Sequence, residues 1–411
     1  HKSHTALAII DVTNRCNLRC PVCFANAAAA GYVYEPSKEE ILGMLQNLRR
    51  NDPVPPPAVQ FSGGEPTIRE DLFELIRAAK ELEFHHVEVN TNGLRLAQSV
   101  DYCRGLMEAG MSTLYLQFDG LTPDVYKFTR GADLLETKMK AIENCREAGL
   151  ESIVLVVTLI KGVNDHQLGD IIRFAIQNFD LIRCVNVQPV SLCGRLPEQE
   201  RAKMRITIPD FMRLCEEQTE GKIKVSDFYP VPVVVPISRA VGALKDKRYV
   251  EFTAHPHCGM ATYVFVEDGE MVPITRYGNV EKFMKTMEKV YEEAMKGHGR
   301  RAKLRLVGAL RHIKFSLLRK YLLPILRTGS YESLGKLHRK MLLISSMHFM
   351  DPYNFDLERV QRCCIHYAVP DGRIIPFCTM NSIHRPKIEE RLGIPLEDWR
   401  RKHKVEIGAV A

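Results

Sequence analysis

The sequence predicts an α/β fold: a partial, open (β/α)6 barrel followed by a less regular second region. Up to about residue 225, short apolar runs rich in β-branched residues alternate with longer stretches of helical periodicity, the pattern of a parallel sheet with helices outside. Helix punctuation falls between the runs. Ser37 with Glu40 makes a capping-box start, and Gly110 and Gly149 are stops. After 225 the alternation ends in a proline-rich stretch, 227–236, that reads as an extended linker.

In chain order, strands are expected at 7–12, 58–62, 86–90, 113–119, 152–159 and 184–190. Helices are expected at 37–50, 71–83, 97–109, 123–148, 166–178 and 209–220. The division that follows is a barrel over 1–225 and a C-terminal domain over 226–411, with a helical insert at about 280–350. A chain of 411 residues, 45% of them hydrophobic, can bury a large core. Twelve cysteines with no secretory signal ahead of the first strand point to a reducing, cytoplasmic setting and to metal ligation rather than disulfides. No apolar run approaches the about 18 residues of a membrane span.

The chemistry of such a barrel belongs at the C-terminal ends of its strands. After the first strand comes Cys16-x3-Cys20-x2-Cys23, three soft thiolates within eight residues. A closed zinc site or a fully ligated cluster wants four ligands, so three thiolates on four irons leave one iron open to a small molecule. After the second strand comes Gly63-Gly64-Glu65-Pro66, where paired glycines permit close backbone approach and a carboxylate can hold an ammonium. The third strand ends in Asn92 and the fourth in Gln117 and Asp119, groups suited either to ribose hydroxyls or to plain turns. Arg130 can fork onto a carboxylate or sit in an ion pair. Thr158, Asn164, Gln188 and Ser191 lie where substrate would enter.

The cysteine spacing, with Gly-Gly-Glu-Pro about 40 residues on, resembles the radical S-adenosylmethionine (SAM) superfamily. The resemblance implies a [4Fe–4S] cluster on Cys16, Cys20 and Cys23, with SAM chelating the open iron. It also implies SAM contacts from Gly63, Gly64, Glu65, Pro66, Asn92, Gln117, Asp119 and Arg130, and an external electron donor such as ferredoxin or flavodoxin. The residue before the third cysteine, commonly aromatic in that superfamily, is Val22 here.

Two hairpin-like stretches follow the linker. One starts at Cys258 and turns at Asp268-Gly269; the other starts at Cys363-Cys364, turns at Asp371-Gly372 and ends at Cys378. They resemble the auxiliary-cluster domains appended to radical SAM barrels. That implies a second [4Fe–4S] cluster on Cys258, Cys363 or Cys364, and Cys378, with Cys193 in reserve; zinc or free thiols are the alternatives. Between the hairpins, residues 296–345 hold thirteen Lys or Arg and one acid, Glu332. On a helical wheel Leu306, Leu310, Ile313, Leu317 and Tyr321 form one stripe, with Arg305, His312 and Arg319 opposite. A basic amphipathic helix of this kind fits an anionic membrane surface, and sparse aromatics argue against nucleic acid.

Taken together, the blocks resemble the archaeal tetraether lipid synthases. That family implies sp3 C–C coupling of the terminal methyl carbons of archaeol-type phospholipid chains, at the cytoplasmic membrane surface and with no nucleic acid. A radical SAM peptide maturase and a non-catalytic, zinc-stapled membrane-surface protein are the rival readings.

Overall fold

Residues 2–28, 31–196, 202–267, 269–317 and 340–403 are described in a computed structural model. Six parallel strands lie side by side in chain order: β1 (Leu7–Thr13), β2 (Ala58–Gly63), β3 (His86–Thr91), β4 (Thr113–Gln117), β5 (Ile153–Leu159) and β6 (Ile182–Pro189). Their α/β arrangement with a parallel sheet is the expected one. Outer helices cover them: α1 (Lys38–Arg49), α2 (Leu72–Glu81), α3 (Leu94–Gln98), α4 (Val100–Glu108), α5 (Pro123–Arg130), α6 (Leu135–Glu147), α7 (Leu168–Gln177) and α8 (Ile208–Gln218). One continuous core joins the layers, with Ile10, Phe61, Val89 and Leu155 from strands against Leu45, Ile76 and Ile172 from helices.

Local chemistry sets the ends. Ser37 and Glu40 form the reciprocal capping box that starts α1. The helix expected over 97–109 is two, because Ser99 is extended and its side chain accepts from the Tyr102 amide, capping α4. The helix expected over 123–148 is also two. Gly131, at φ +79°, ends α5, and α6 starts afresh. The proline-rich stretch is less extended than expected. Only Tyr229–Pro230 is strand, and Val231–Val234 is a 3-10 turn leading into α9 (Val235–Lys245), whose first turn accommodates Pro236.

Residues beyond 225 add strands to both edges of the same sheet. β7 (Gly259–Glu267) and β8 (Glu270–Pro273) form one hairpin. β9 (Met341–Met347) lies between β7 and β6, antiparallel to the first and parallel to the second. At the other edge β10 (Ile365–Ala368) runs parallel to β1 and pairs with β11 (Ile374–Pro376). The order is β8-β7-β9-β6-β5-β4-β3-β2-β1-β10-β11. β9 and β10 are consecutive in the chain yet stand at opposite ends of the parallel run. Residues 348–364 therefore cross the open side of the barrel.

The predicted basic stripe is not one helical face. α10 (Val280–Met295) is followed by α11 (Gly299–Ala309), a 3-10 turn at Leu310–His312, and extended backbone at Ile313. Backbone hydrogen bonds to the 277–279 loop pull the chain out of helix: Asn279 donates to the His312 carbonyl and Lys314 to that of Tyr277. Leu306 stays partly exposed, whereas Leu317 is buried against Phe265 and Met341 with Ile313 beside them. Arg305 pairs with Glu293, and Leu310 is half-buried. Arg319 and Tyr321 lie outside the described residues.

Candidate active site

The loop after β1 is pinned at both ends. At its start a register shift between Asp11 and Thr13 brings Thr13 opposite Gly63. The Gly64 amide donates to the Thr13 carbonyl (2.7 Å) and the Glu65 amide to that of Arg15 (2.9 Å). A Cβ on Gly63 would lie 2.1 Å from the Thr13 oxygen, and one on Gly64 2.1 Å from the Arg15 oxygen. Both glycines thus let the second strand end touch the base of the cysteine loop. At its far end Cys23 and Arg195 exchange two backbone hydrogen bonds of 2.9 Å, and Arg195 Nε donates to the Cys20 carbonyl (2.6 Å). Gly194, at φ +68°, permits this contact; its Cβ would lie 2.4 Å from the Cys23 and Phe24 oxygens. Arg195 was not among the expected site residues, and only its neighbouring glycine hinted at a close approach.

Cys16, Cys20 and Cys23 face one cavity together with Gly63, Gly64, Glu65, Asn92, Gln117, Arg130 and Cys193. Burial, with Glu65 nearby, pushes the Cys16 thiol up; burial also raises Cys20, with Arg130 acting against it. Buried thiols that resist ionisation call for a positive partner to become ligands, and iron supplies one. Among the described residues no group of three or more His, Cys, Asp or Glu converges on a single-ion site. A four-iron cluster spreads its ligands farther than the about 2.3 Å bonds of a mononuclear zinc site do. Three thiolates of one loop facing one cavity are a donor set that fits a four-iron cluster with one iron left open.

Glu65 is buried and firmly held. Its Oε1 accepts from the Thr67 amide (3.1 Å), the Thr67 hydroxyl (2.6 Å) and the Thr91 hydroxyl (2.7 Å), and its Oε2 from the Asn92 amide (2.8 Å). Oε2 retains acceptor capacity for an ammonium at the cavity wall. Pro66 is buried at the start of a 3-10 turn and does not reach the wall. Asn92 lines the cavity; its amide nitrogen donates to Asn17 Oδ1 and its Oδ1 accepts from the Leu94 amide.

Asp119 and Arg130 pair with each other, the ion-pair alternative expected for Arg130, although here the pair is buried. Asp119 is completely buried and accepts from Gln117 Nε2 (2.6 Å), Thr129 Oγ1 (2.9 Å), the Thr158 amide (3.1 Å) and both Arg130 Nε (2.6 Å) and an Arg130 terminal nitrogen (2.9 Å). Its carboxylate accepts from protein donors and does not line the cavity. The Arg130 fork is correspondingly taken; its remaining donors reach the Val22 carbonyl and Thr158 Oγ1. Beneath them Lys138, fully buried on α6, donates to the Asn92 carbonyl and to Gln117 Oε1 (2.7 Å). Sequence periodicity placed Lys138 only as a helix residue. Thr158, Gln188 and Ser191 line the cavity, whereas Asn164 is buried and ties Ile160, Asp119 and Thr158 together.

The C-terminal cysteines gather from separate segments. Cys258 precedes β7, Cys363 and Cys364 precede β10, and Cys378 follows β11, each close enough to affect another's ionisation. Burial pushes Cys364 and Cys378 up to about 12 and raises Cys363. Arg359 Nε donates to Cys258 Sγ (3.5 Å) and the Met350 amide to Cys378 Sγ (3.2 Å). None of these four lines the cavity. Cys193 stands apart from them, beside Ser191 Oγ (3.2 Å) and within the influence of Cys23. An apolar wall of the cavity packs in one hydrophobic cluster with Cys363 and Cys378. Phe349 and Phe377 stack at 4.0 Å, with Tyr367 5.4 Å and Phe24 5.9 Å from Phe377.

A three-thiolate loop clamped to a Gly-Gly-Glu turn at the mouth of a parallel partial barrel defines the class. The chain belongs to the radical SAM superfamily, which residues 10–175 match. Over 420 aligned residues it is 51% identical to the 7,8-dihydro-6-hydroxymethylpterin dimethyltransferase of Methanocaldococcus jannaschii, covering 98% of this chain and 82% of that protein. It is 31% identical over 188 residues to the GTP 3′,8-cyclase of Listeria monocytogenes serovar 1/2a, covering 45% of this chain and 55% of that one. Streptococcus suis SuiB, crystallised with its precursor peptide SuiA, superposes with a TM-score of 0.42 at 21% identity, covering 53% of this chain and 46% of that one. None of these three is named as a lipid synthase, so the narrower resemblance rests on the residues alone. As a radical SAM enzyme the protein uses a [4Fe–4S] cluster, SAM and an electron donor. When bound, cluster and SAM supply a 5′-deoxyadenosyl radical able to take hydrogen from an unactivated carbon. Among the described residues no helix is long and apolar enough to cross a membrane.

Proposed function

We propose that this radical SAM enzyme joins the terminal methyl carbons of archaeol-type isoprenoid chains through a new sp3 C–C bond. The observation that carries the reading is the wall of Phe24, Phe349, Tyr367 and Phe377 in the same cavity as Cys16, Cys20, Cys23 and Glu65. With Ile9, Ile365, Val190 and Met347 it offers a saturated chain end an apolar bed beside the radical source. Much of the cavity's polarity is already engaged. Gln60 donates to Glu88, Asn90 to Ser62, Asn186 to Tyr115, and Asn381 to the Phe377 carbonyl.

Cys16, Cys20 and Cys23 hold the first cluster; Glu65 receives the SAM ammonium, and Asn92 and Gln117 border the nucleoside. Cys258, Cys363, Cys364 and Cys378 are the ligand pool of an auxiliary cluster behind the aromatic wall, with Cys193 in reserve on the cavity side. The barrel over 1–225 then generates the radical, and the region over 226–411 bears the second cluster. The reaction removes two hydrogen atoms, delivers them to two 5′-deoxyadenosines, and takes two electrons from the external donor. No general base is required, because hydrogen leaves as an atom. The chain's own part is orientation and exclusion of water.

A second reading, methylation of a dihydropterin, draws support from the name of the 51% identical relative. One experiment separates them. Anaerobically reconstituted protein is given SAM, dithionite and archaeol phosphatidylglycerol deuterated at its terminal methyls, in parallel with 7,8-dihydro-6-hydroxymethylpterin and methyl-labelled SAM. The lipid reading expects deuterium in 5′-deoxyadenosine and a lipid product lighter by two deuterium atoms. Labelled methyl groups on the pterin, with the lipid unchanged, would overturn it.

A further inference from the structure

The outer face of α11 carries charge and apolar surface together. Its inner face packs Ala302 and Ala309 against Met287 and Val290 of α10 and Ala240 of α9. On the opposite side of the wheel stand Arg300, Leu304 and Val307, and the exposed Arg311 follows in the 3-10 turn at Leu310–His312. Leu304 is 73% exposed and Val307 65%; flanking them, Met295 is 64% and Phe315 70% exposed. Residues 295–315 contain seven Lys or Arg and no Asp or Glu. This ridge is not the Leu306–Tyr321 stripe of the sequence reading, of which Leu306 stays partly exposed on α11 while Leu317 lies buried past the break at Ile313.

We infer that the exposed surface of α11 and the turn after it, Arg300, Leu304, Val307 and Arg311, docks on an anionic phospholipid surface. Guanidinium and ammonium groups meet lipid phosphates, and the apolar side chains between them enter the acyl boundary. The charge is complementary to such a surface, and the apolar groups beside it are exposed. A nucleic-acid backbone gives Leu304 and Val307 nothing to bury in. A protein partner would more readily be met by a concave groove. The inference deepens the lipid reading of the active site and names where the enzyme meets the membrane that holds its substrate.

The test uses the full reconstituted chain and sedimentation with vesicles of phosphatidylcholine alone or with 30% phosphatidylglycerol, alongside Leu304→Asp/Val307→Asp and Arg300→Glu/Arg311→Glu. Binding to the anionic vesicles, falling at least tenfold in either variant and at least fivefold in 0.5 M NaCl, supports docking; variants retaining their iron content and far-ultraviolet spectrum exclude misfolding. Binding unchanged in both variants, no vesicle binding, or preferential retention of single-stranded RNA overturns it. Turnover of detergent-dispersed archaeol lipid is measured separately. Vesicle binding without turnover leaves docking standing and removes the lipid-coupling reading. Turnover without vesicle binding does the reverse.

Discussion

Lys138 is the residue whose setting says most. Its amine has two protein acceptors, the Asn92 carbonyl and Gln117 Oε1, and burial, with Arg130 adding repulsion, brings its pKa down to about 7. A neutral amine has two N–H donors, matching two acceptors, so the bonds survive deprotonation. Between about pH 7 and the ordinary lysine value the unfolded chain holds a proton that the folded chain has released, so stability rises with pH across that window. The melting-temperature gain of Lys138→Met over the native protein should therefore shrink from pH 6 to pH 9. The same variant should raise the KM for SAM several-fold, read from initial rates of 5′-deoxyadenosine release, because Asn92 and Gln117 lose their common anchor. Unchanged KM would end that positioning role. Asp119→Asn should be worse. It leaves Arg130 a buried cation without its counter-ion, a loss of about 3–5 kcal/mol visible in chemical denaturation. The sequence offered an ion pair for Arg130 but not its partner, and gave no sign of the Lys138 role. Lys138 and Arg130 both follow helical periodicity, and their partners come from strand ends that only the folded sheet brings near.

At the scale of elements, the strands were readable because each apolar run is short and bounded by turn chemistry. The helices were less so. Ser99 and Gly131 each divide what periodicity joined, since hydrophobic spacing continues across a break that capping and positive φ impose. The insert failed for a different reason: its wheel is sound, but hydrogen bonds from the 277–279 loop compete with helix at Ile313. The cysteine loop itself was fully legible, and its clamp only half so. Gly-Gly-Glu announced one side, whereas Gly194-Arg195 on the other is a plain dipeptide until Cys23 pairs with it. Gly64→Ala and Gly194→Ala should each displace the loop, since both place a Cβ inside van der Waals contact of backbone oxygens. Either should lose most of the iron bound by the loop in anaerobic reconstitution, with the C-terminal iron unaffected.

For the whole molecule, the metal count decides whether the two cysteine groups are two centres. Native protein should bind about eight irons, falling to about four in Cys16→Ala/Cys20→Ala/Cys23→Ala. A native count of about four, falling to none, would remove the auxiliary cluster. The overall shape also depends on a tie across the chain. Arg385, in the helix Arg385–Leu392, reaches Asp11 of β1 at 2.6 Å and Glu389 at 2.7 Å, all in the interior. Arg385→Met strands both carboxylates and should cost about 3–5 kcal/mol in urea unfolding. The sequence revealed both hairpins through their Asp-Gly turns but not that they occupy opposite edges of one sheet, because edge choice is set by pairing partners far along the chain, β9 for one and β1 for the other.

That placement orders events in time. β1 emerges early from the ribosome, yet its neighbour β10 lies near the other end of the chain, with Leu7 opposite Ile365. A contact of such long range is among the last a folding chain closes. The strap over 348–364, and with it Cys363, Cys364 and Cys378, is therefore expected to settle late, visible as late amide protection of β10 during refolding. On that order iron would be loaded onto the first loop while the side of the barrel is still open, and the second cysteine group would assemble as that side closes.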